Sequence, residues 1–580
     1  MKIRFCHFPS QFLGMGFLFF FLCFSCTPST PKLDLADLIV VNGQIYTVDA
    51  ENTIVEAIAI KGDRILATGT IAEMEAFKGP DTETLDLEGQ SAYPGFIEGH
   101  GHFSGIGFSL INLNLMKTKN WNEIVAMVAE KAKDAEPGEW IVGRGWHQEK
   151  WDETPDRQVL GYPYHDELSA VSPDNPVLLS HASGHSLFAN AKAMEEAGVN
   201  KETPDPVGGL IVRDQNGVAL GVFEERAEDI IYEALNRYRS TLSQEDLIEE
   251  WNKAIDLAEA ECIQKGVTSF QDAGSSFAEI DRYLALADSG KLDLRLWVMM
   301  RESYEETVPQ AARFPIIGYG NDYFTCRAIK SQVDGALGTY GAWLLQPYND
   351  KPGFYGQNTT PISEVENMAR LAIKNGLQLC VHAIGDRANR EVIDIFANAF
   401  DQQPEEVVRD FRWRVEHAQH VNVEDIPRFA KHGIIASMQG VHCTSDAPFV
   451  EKRLGERRAR EESYAWRSFL DSGAIIANGT DAPVEDVDPL ASFYSSVTRQ
   501  PGFGKAFFPE QSMTRVEALR SYTIDNAYAG FEESVKGSLE GGKLADLVVL
   551  SKDLVNCSDQ EILEAEVLYT IIGGEIKYQK

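Results

Sequence analysis

The chain has 580 residues, 44% of them hydrophobic and 24% charged, a composition that suits a globular protein with a large core. Its 53 Lys and Arg stand against 88 Asp and Glu, a net charge of −35. So acidic a surface argues against nucleic acid as a partner and against electrostatic attachment to anionic lipid.

At the N-terminus, Lys2 and Arg4 precede an apolar run from Phe12 to Phe24, followed by Ser25-Cys26 and the polar Thr27-Pro-Ser-Thr-Pro31. This is the layout of a secretory signal, and the run is shorter than the ~20 residues of a spanning helix. A cysteine directly after a small residue resembles a bacterial lipobox, with Cys23 where an aliphatic residue is usual. The expectation is a lipoprotein signal peptide over 1–25, a lipidated Cys26 and a linker over 26–36. A simple secreted form and an uncleaved anchor remain open alternatives. The lipoprotein form would place the chain in a bacterial cell envelope, periplasmic or outer-membrane associated, meeting the membrane only through its lipid anchor. Cys262, Cys326, Cys380, Cys443 and Cys557 contain no CxxC pair, so neither a thiolate zinc site nor a dense disulfide framework is indicated.

Residues 37–93 read as short strands, with turn residues at Asn42-Gly43 and Gly62-Asp63. Residues 535–580 return to the same pattern, with Gly573-Gly574 as a hairpin turn. Together they predict one small β-sandwich built from both chain termini.

Eight apolar strand candidates lie between: "SAYPGFIEGHGH", "GVTSFQDAG", "LDLRLWVMM", "TCRAIKSQVDG", "LQLCVHAIGD", "RWRVEHAQH", "GIIASMQG" and "AIIANGTDAP". Amphipathic helical stretches separate them, which predicts an α/β fold, a (β/α)₈ TIM barrel over 94–534. Gly266 stands 164 positions after His102, too far for one βα connection. A long insertion over about 105–225 after the first barrel strand is therefore expected above the active face.

Polar residues end several of these strands. His100 and His102 are one residue apart, and on a strand alternate side chains share a face. Two converging imidazoles suggest a divalent metal, while a polar loop after a buried strand is the plainer alternative. Lys330, His382, His417 and Asp481 fall near the ends of the fourth, fifth, sixth and eighth strands. Catalytic groups gather at the C-terminal strand ends of such barrels.

These motifs, with "GRGW", "VDGALG", "YAWRSFLDSG", "GTDAPVE" and the terminal "GSLEGGKLADLVVL", resemble the amidohydrolase superfamily, more narrowly its family 3 branch, which includes N-substituted formamide deformylases. The likeness covers nearly everything from residue 37 to 580. It implies metal ligands at His100, His102, His382, His417 and Asp481, with Lys330 where relatives can carry a carboxylated lysine. One or two divalent ions would follow, zinc foremost, with Mn, Fe and Ni open. The implied activity is hydrolysis of a non-peptide C–N bond in a small-molecule amide by metal-activated water, with Asp481 as general base and then acid. Ester or lactone hydrolysis in the same site is an alternative, as is a non-catalytic binding or regulatory protein on the same fold. An ordinary strand lysine at 330 and a single-metal site are likewise open.

Among the remaining polar residues, Trp146 and His185 in the insertion and His442 past the seventh strand are candidate substrate contacts, and Asp272 a candidate to orient a ligand. Strand alternation turns His420 away from the site toward the surface or an outer shell. Cys380 reads as a small buried hydrophobe. Arg453, Arg457 and Arg458 read as solvated helix-face charges. A homo-oligomer is compatible with one chain's sequence.

Overall fold

The computed structural model describes residues 34–403, 411–502 and 504–580. The expected signal peptide and lipidated Cys26, with most of the 26–36 linker, lie outside the described residues. Among the described residues no helix is long and apolar enough to cross a membrane.

The central sheet has eight parallel strands in sequential order: β1 (Phe96–Gly101), β2 (Val267–Ser275), β3 (Arg295–Met300), β4 (Phe324–Gln332), β5 (Gln378–Ala383), β6 (Arg414–His417), β7 (Ile435–Gln439) and β8 (Ile476–Gly479). Each of the eight apolar segments supplies one of them. Parallel neighbours need crossovers, and helices such as Gln244–Gln264, Phe277–Asp288, Ile362–Asn375 and Asp386–Asp401 provide these. The ring closes where the Asp481 N–H donates to the His100 carbonyl at 2.7 Å and the Glu98 carboxylate accepts from the Thr480 N–H at 2.6 Å. The fold is therefore a (β/α)₈ barrel. Apolar side chains between strands and helices, among them Phe270, Leu379, Val415, Phe396 and Trp413, form its largest hydrophobic cluster.

The first strand differs from its sequence reading. "SAYPGFIEGHGH" is two strands in two sheets: Ser91–Pro94 pairs with Gln44–Tyr46 and Leu547–Leu550, and only Phe96–Gly101 enters the barrel. Gly95 is the crossing point, because a Cβ there would stand 2.1 Å from the Thr268 hydroxyl. An apolar run alone cannot reveal a change of sheet.

A six-stranded sheet combines Gln44–Tyr46, Ile54–Val55 and Ser91–Pro94 with Leu547–Leu550, Val567–Ile572 and Glu575–Gln579. A four-stranded sheet holds Leu38–Val41, Ala57–Lys61, Arg64–Gly69 and Glu83–Asp86. One hydrophobic cluster joins the two sheets, with Val40, Ile58 and Ile60 from one and Ile45, Val549 and Ile571 from the other. The buried pair Arg295–Asp546, at 2.8 Å, ties this unit to β3.

Between β1 and β2 lies a further six-stranded sheet, from Leu113–Asn114 to Ala219–Glu225, with its own hydrophobic clusters. Glu225 ends its last strand in a left-handed conformation, φ 52°. Its carboxylate passes between Gly335 and Gly341, where a Cβ would come within 1.8 and 2.1 Å of Glu225 Oε1. The loop after β4 and the insertion thus fit closely over the C-terminal mouth of the barrel.

Candidate metal centre

On β1, Glu98 and His100 are fully buried. The Nδ1 of His100 makes a short contact with the Glu416 carboxylate. Arg414, also fully buried, lies 2.6 Å from Glu416 and donates to the Gly99 carbonyl, Gln271 and Ser437. Such a partner fixes the imidazole's orientation and places its proton on Nδ1. The lone pair on Nε2 is thereby left for another group.

His102 follows β1, held by its N–H to the Ala482 carbonyl at 2.6 Å, with its Nε2 3.2 Å from Asp481 Oδ1. Strand alternation on β6 would put His417 on the same face as Trp413 and Val415, toward the helices. His417 instead has φ 75°, which turns it to the mouth, with its ring centroid 4.7 Å from His100 and 4.5 Å from His382. Its Nδ1 is 2.9 Å from Gln439 Oε1, again leaving Nε2 free. Asp481 follows β8 with φ 60°. Left-handed conformations at non-glycine residues cost of order 1–3 kcal/mol and cluster at functional sites. Here they occur at His417, Asp481 and Glu225, all facing one mouth.

The electrostatics suit cation binding. Burial, helped by Lys330, lowers His100 to about 4, and burial with neighbouring imidazoles holds His382 and His417 well below the usual histidine range. All three are neutral at pH 7 and offer lone pairs. Burial works to raise Asp481, but the neighbouring His102, His100 and His417 rings hold it well below the usual carboxylate range. Lys330, 5% exposed on β4, is lowered by burial to about 8. Among the described residues it has no hydrogen-bond or ion-pair partner.

Buried polar atoms are normally hydrogen-bonded. Yet, among the described residues, His100 Nε2 and His382 Nε2 are buried at this mouth without a hydrogen bond, and Asp481 Oδ1 has only the His102 and His100 rings beside it, at 3.2 and 3.6 Å. Ligand atoms of His100, His102 and Asp481 lie within 4.8 Å of one another, as do those of His417, His442 and Asp481. Neutral imidazoles and one carboxylate are the donor set of zinc and similar divalent ions, so the residues present fit the metal that the sequence implies.

Two spaces open beside this cluster. One is bounded by His147, Leu337, Ile384, Phe449 and His442; the other, more polar, by His102, Arg144, Arg301, Glu228 and Lys330. Both share His185, His382, His417 and Asp481.

The structure therefore brings together His100, His102, Lys330, His382, His417 and Asp481. His185 and His442 also reach the cavity, the former bonded to Glu225 at 2.9 Å. Asp272 sits one step back, accepting the N–H of Phe103, the residue after His102, at 3.0 Å. Trp146 is a correction: it is fully buried in the insertion's core and donates to the Leu179 carbonyl at 2.7 Å, whereas His147 lines the cavity. A bulge in β-pairing between Arg144 and Trp146 shifts which residue of the motif faces the barrel. His420 is fully buried rather than at the surface, bonded to Ser463 at 2.9 Å. The solvated reading of the arginine run fails for Arg453, which is fully buried between Asp350 at 2.5 Å and Glu149 at 2.8 Å, and for Arg458, whose guanidinium caps the Gln346 and Pro347 carbonyls. Arg457 is exposed as expected.

Sequence reasoning missed Glu416, Arg414, Gln439, Gln419 and Glu225. A signal existed for the first two: charges at alternate positions of an otherwise apolar strand must be buried and paired. The glutamines and Glu225 carry no such mark.

The sequence pattern of the amidohydrolase family matches residues 83–578. The chain is 32% identical to the protein LONG AFTER FAR-RED 3 of Arabidopsis thaliana, over 96% of this chain and 93% of that one. It is 29% identical to the N-substituted formamide deformylase of Arthrobacter pascens, over 94% and 99%. In fold it resembles an uncharacterized metal-dependent hydrolase from Pyrococcus horikoshii OT3, with a TM-score of 0.71, 24% identity, and coverage of 90% of this chain and 99% of that one.

Proposed function

The chain belongs to the amidohydrolase family, and we propose that it hydrolyses a non-peptide C–N bond in a small amide-type molecule. The observation that carries this reading is the convergence at one barrel mouth of the buried His100 Nε2 and His382 Nε2, which have no hydrogen bond among the described residues, with the Asp481 carboxylate. His100, His102, His382, His417 and Asp481 would hold one or two divalent ions, zinc foremost, with Lys330, carboxylated by carbon dioxide, as a further ligand. Such an ion supplies a Lewis acid for the substrate carbonyl and acidifies a water molecule.

The chain's own residues do the rest. Asp481, ionised and 3.2 Å from His102, takes a proton from the attacking water and returns it to the departing nitrogen, which leaves poorly as an anion. Glu416 and Gln439 hold the rings of His100 and His417. The apolar wall of Leu337, Ile384 and Phe449 accommodates a hydrophobic substituent. The relative named N-substituted formamide deformylase supports an amide over an ester. We also propose that the chain works as a lipid-anchored envelope protein, which the Ser25-Cys26 junction supports.

The test is a zinc-loaded preparation screened against N-substituted formamides, longer-chain N-acyl amines and matched esters and lactones, with amine release and acid release followed in parallel. Amide turnover that Asp481→Asn abolishes is the expected result. Ester or lactone turnover without amide turnover would replace the C–N reading with its alternative.

A further inference from the structure

The structure assigns His442 as the group that hydrogen-bonds the substrate's carbonyl oxygen as negative charge develops on it. This rests on the hydrolase reading above and adds a catalytic residue to it. His442 stands in the first turn of the helix Gly440–Leu454 that follows β7, and that turn is fixed by the Gly440 N–H to Asn478 at 2.9 Å and the Val441 N–H to Ser492 at 3.2 Å. The side chain is 5% exposed and lines the cavity. One of its ring nitrogens lies within 4.8 Å of ligand atoms of His417 and Asp481, so it reaches the reacting centre.

By position alone His442 would pass for another metal ligand. The polarity of its neighbour says otherwise. The Nδ1 of His100 faces a carboxylate and that of His417 faces an amide oxygen; both partners are acceptors, so the proton sits on Nδ1 and a lone pair on Nε2. The Nδ1 of His442 instead accepts from the Gln419 side-chain N–H at 3.0 Å. A neutral imidazole that accepts at Nδ1 carries its proton on Nε2. That Nε2–H is buried and has no acceptor among the described residues. Three histidines at one mouth thus present two lone pairs and one donor, and a fixed donor aimed where negative charge develops lowers an acyl-transfer barrier. The acceptor it lacks is one that an amide substrate would bring.

The experiment compares wild type, His442→Ala and His442→Gln, the last placing an amide N–H near the lost donor, on whichever amide wild type turns over. Metal content is measured on the same preparations. The expected result is a kcat lower by about 10²- to 10³-fold in His442→Ala, with KM within a few-fold, metal content unchanged, and at least tenfold recovery in His442→Gln. Loss of an ion in His442→Ala with its activity would overturn the assignment in favour of a ligand. Full turnover by His442→Ala would overturn it alone, whereas a wild type inert toward every amide would overturn it together with the hydrolase reading.

Discussion

Glu416→Gln isolates what the interior of the barrel contributes to the metal centre. The substitution keeps the shape of the side chain and removes its charge between two fully buried partners, His100 and Arg414. Two effects compete to explain any loss of metal: protonation of His100 and loss of its orientation and basicity. Burial already holds His100 at about 4, and removing a neighbouring anion lowers it further, so the ring stays neutral at pH 7 and protonation plays no part. Orientation and basicity remain, and losing a partner of this kind weakens metal binding by about 10- to 100-fold, equivalent to about 1.4–2.7 kcal/mol. Arg414 keeps the Gly99 carbonyl, Gln271 and Ser437, so the fold should lose less than the about 3–5 kcal/mol of a fully orphaned buried charge. Competition with a chelator of known zinc affinity measures the first effect, and denaturant unfolding of the metal-free protein the second. Unchanged zinc affinity in a protein whose stability has fallen would refute the argument that Glu416 acts through His100.

Three further outcomes follow from the same structure. Where wild type carries two ions per chain, Lys330→Ala should lower the count to one or none by elemental analysis; an unchanged count would make Lys330 structural. Glu259, raised by burial to about 7 while it accepts the N–H groups of Asp293 and Leu294, binds its proton more tightly folded than unfolded. Its contribution is fully present below pH ~4.5 and is lost as pH rises to about 7, up to about 3 kcal/mol, so Glu259→Gln should flatten the decline in stability over that window. Identical pH dependence in the variant would contradict this. Arg453→Met leaves Asp350 without its buried cation, while Glu149 keeps Lys452 at 3.0 Å, and should cost up to about 3–5 kcal/mol in denaturant unfolding; a loss below 1 kcal/mol would show that Asp350 finds solvent.

The barrel was legible because its strands are apolar runs of the right length separated by amphipathic helices, and the meeting of six polar residues at one mouth was legible because they lie at or near the ends of those strands. Local pattern failed where tertiary context decides. Alternation along β6 would have turned His417 outward, and only its left-handed backbone brings it to the mouth. The cavity-facing place expected of Trp146 belongs to His147 because a bulge shifts the strand, and a bulge leaves no trace in "GRGW". The arginines at 453 and 458 resembled a solvated helix face, since their partners Asp350, Glu149 and the Gln346–Pro347 carbonyls lie 100 or more positions away. The tautomers of His100, His417 and His442 depend on Glu416, Gln439 and Gln419, which meet them only in the folded barrel.

The most direct test of the central claim is metal content per chain, measured by elemental analysis after purification without chelators and reconstitution with zinc. Wild type should carry at least one ion per chain, and the double variant His100→Ala/His417→Ala, confirmed as folded by its far-ultraviolet spectrum, should carry none. A folded wild type that binds no divalent ion, or a double variant that binds as many as wild type, would contradict the assignment of this barrel mouth as a metal centre.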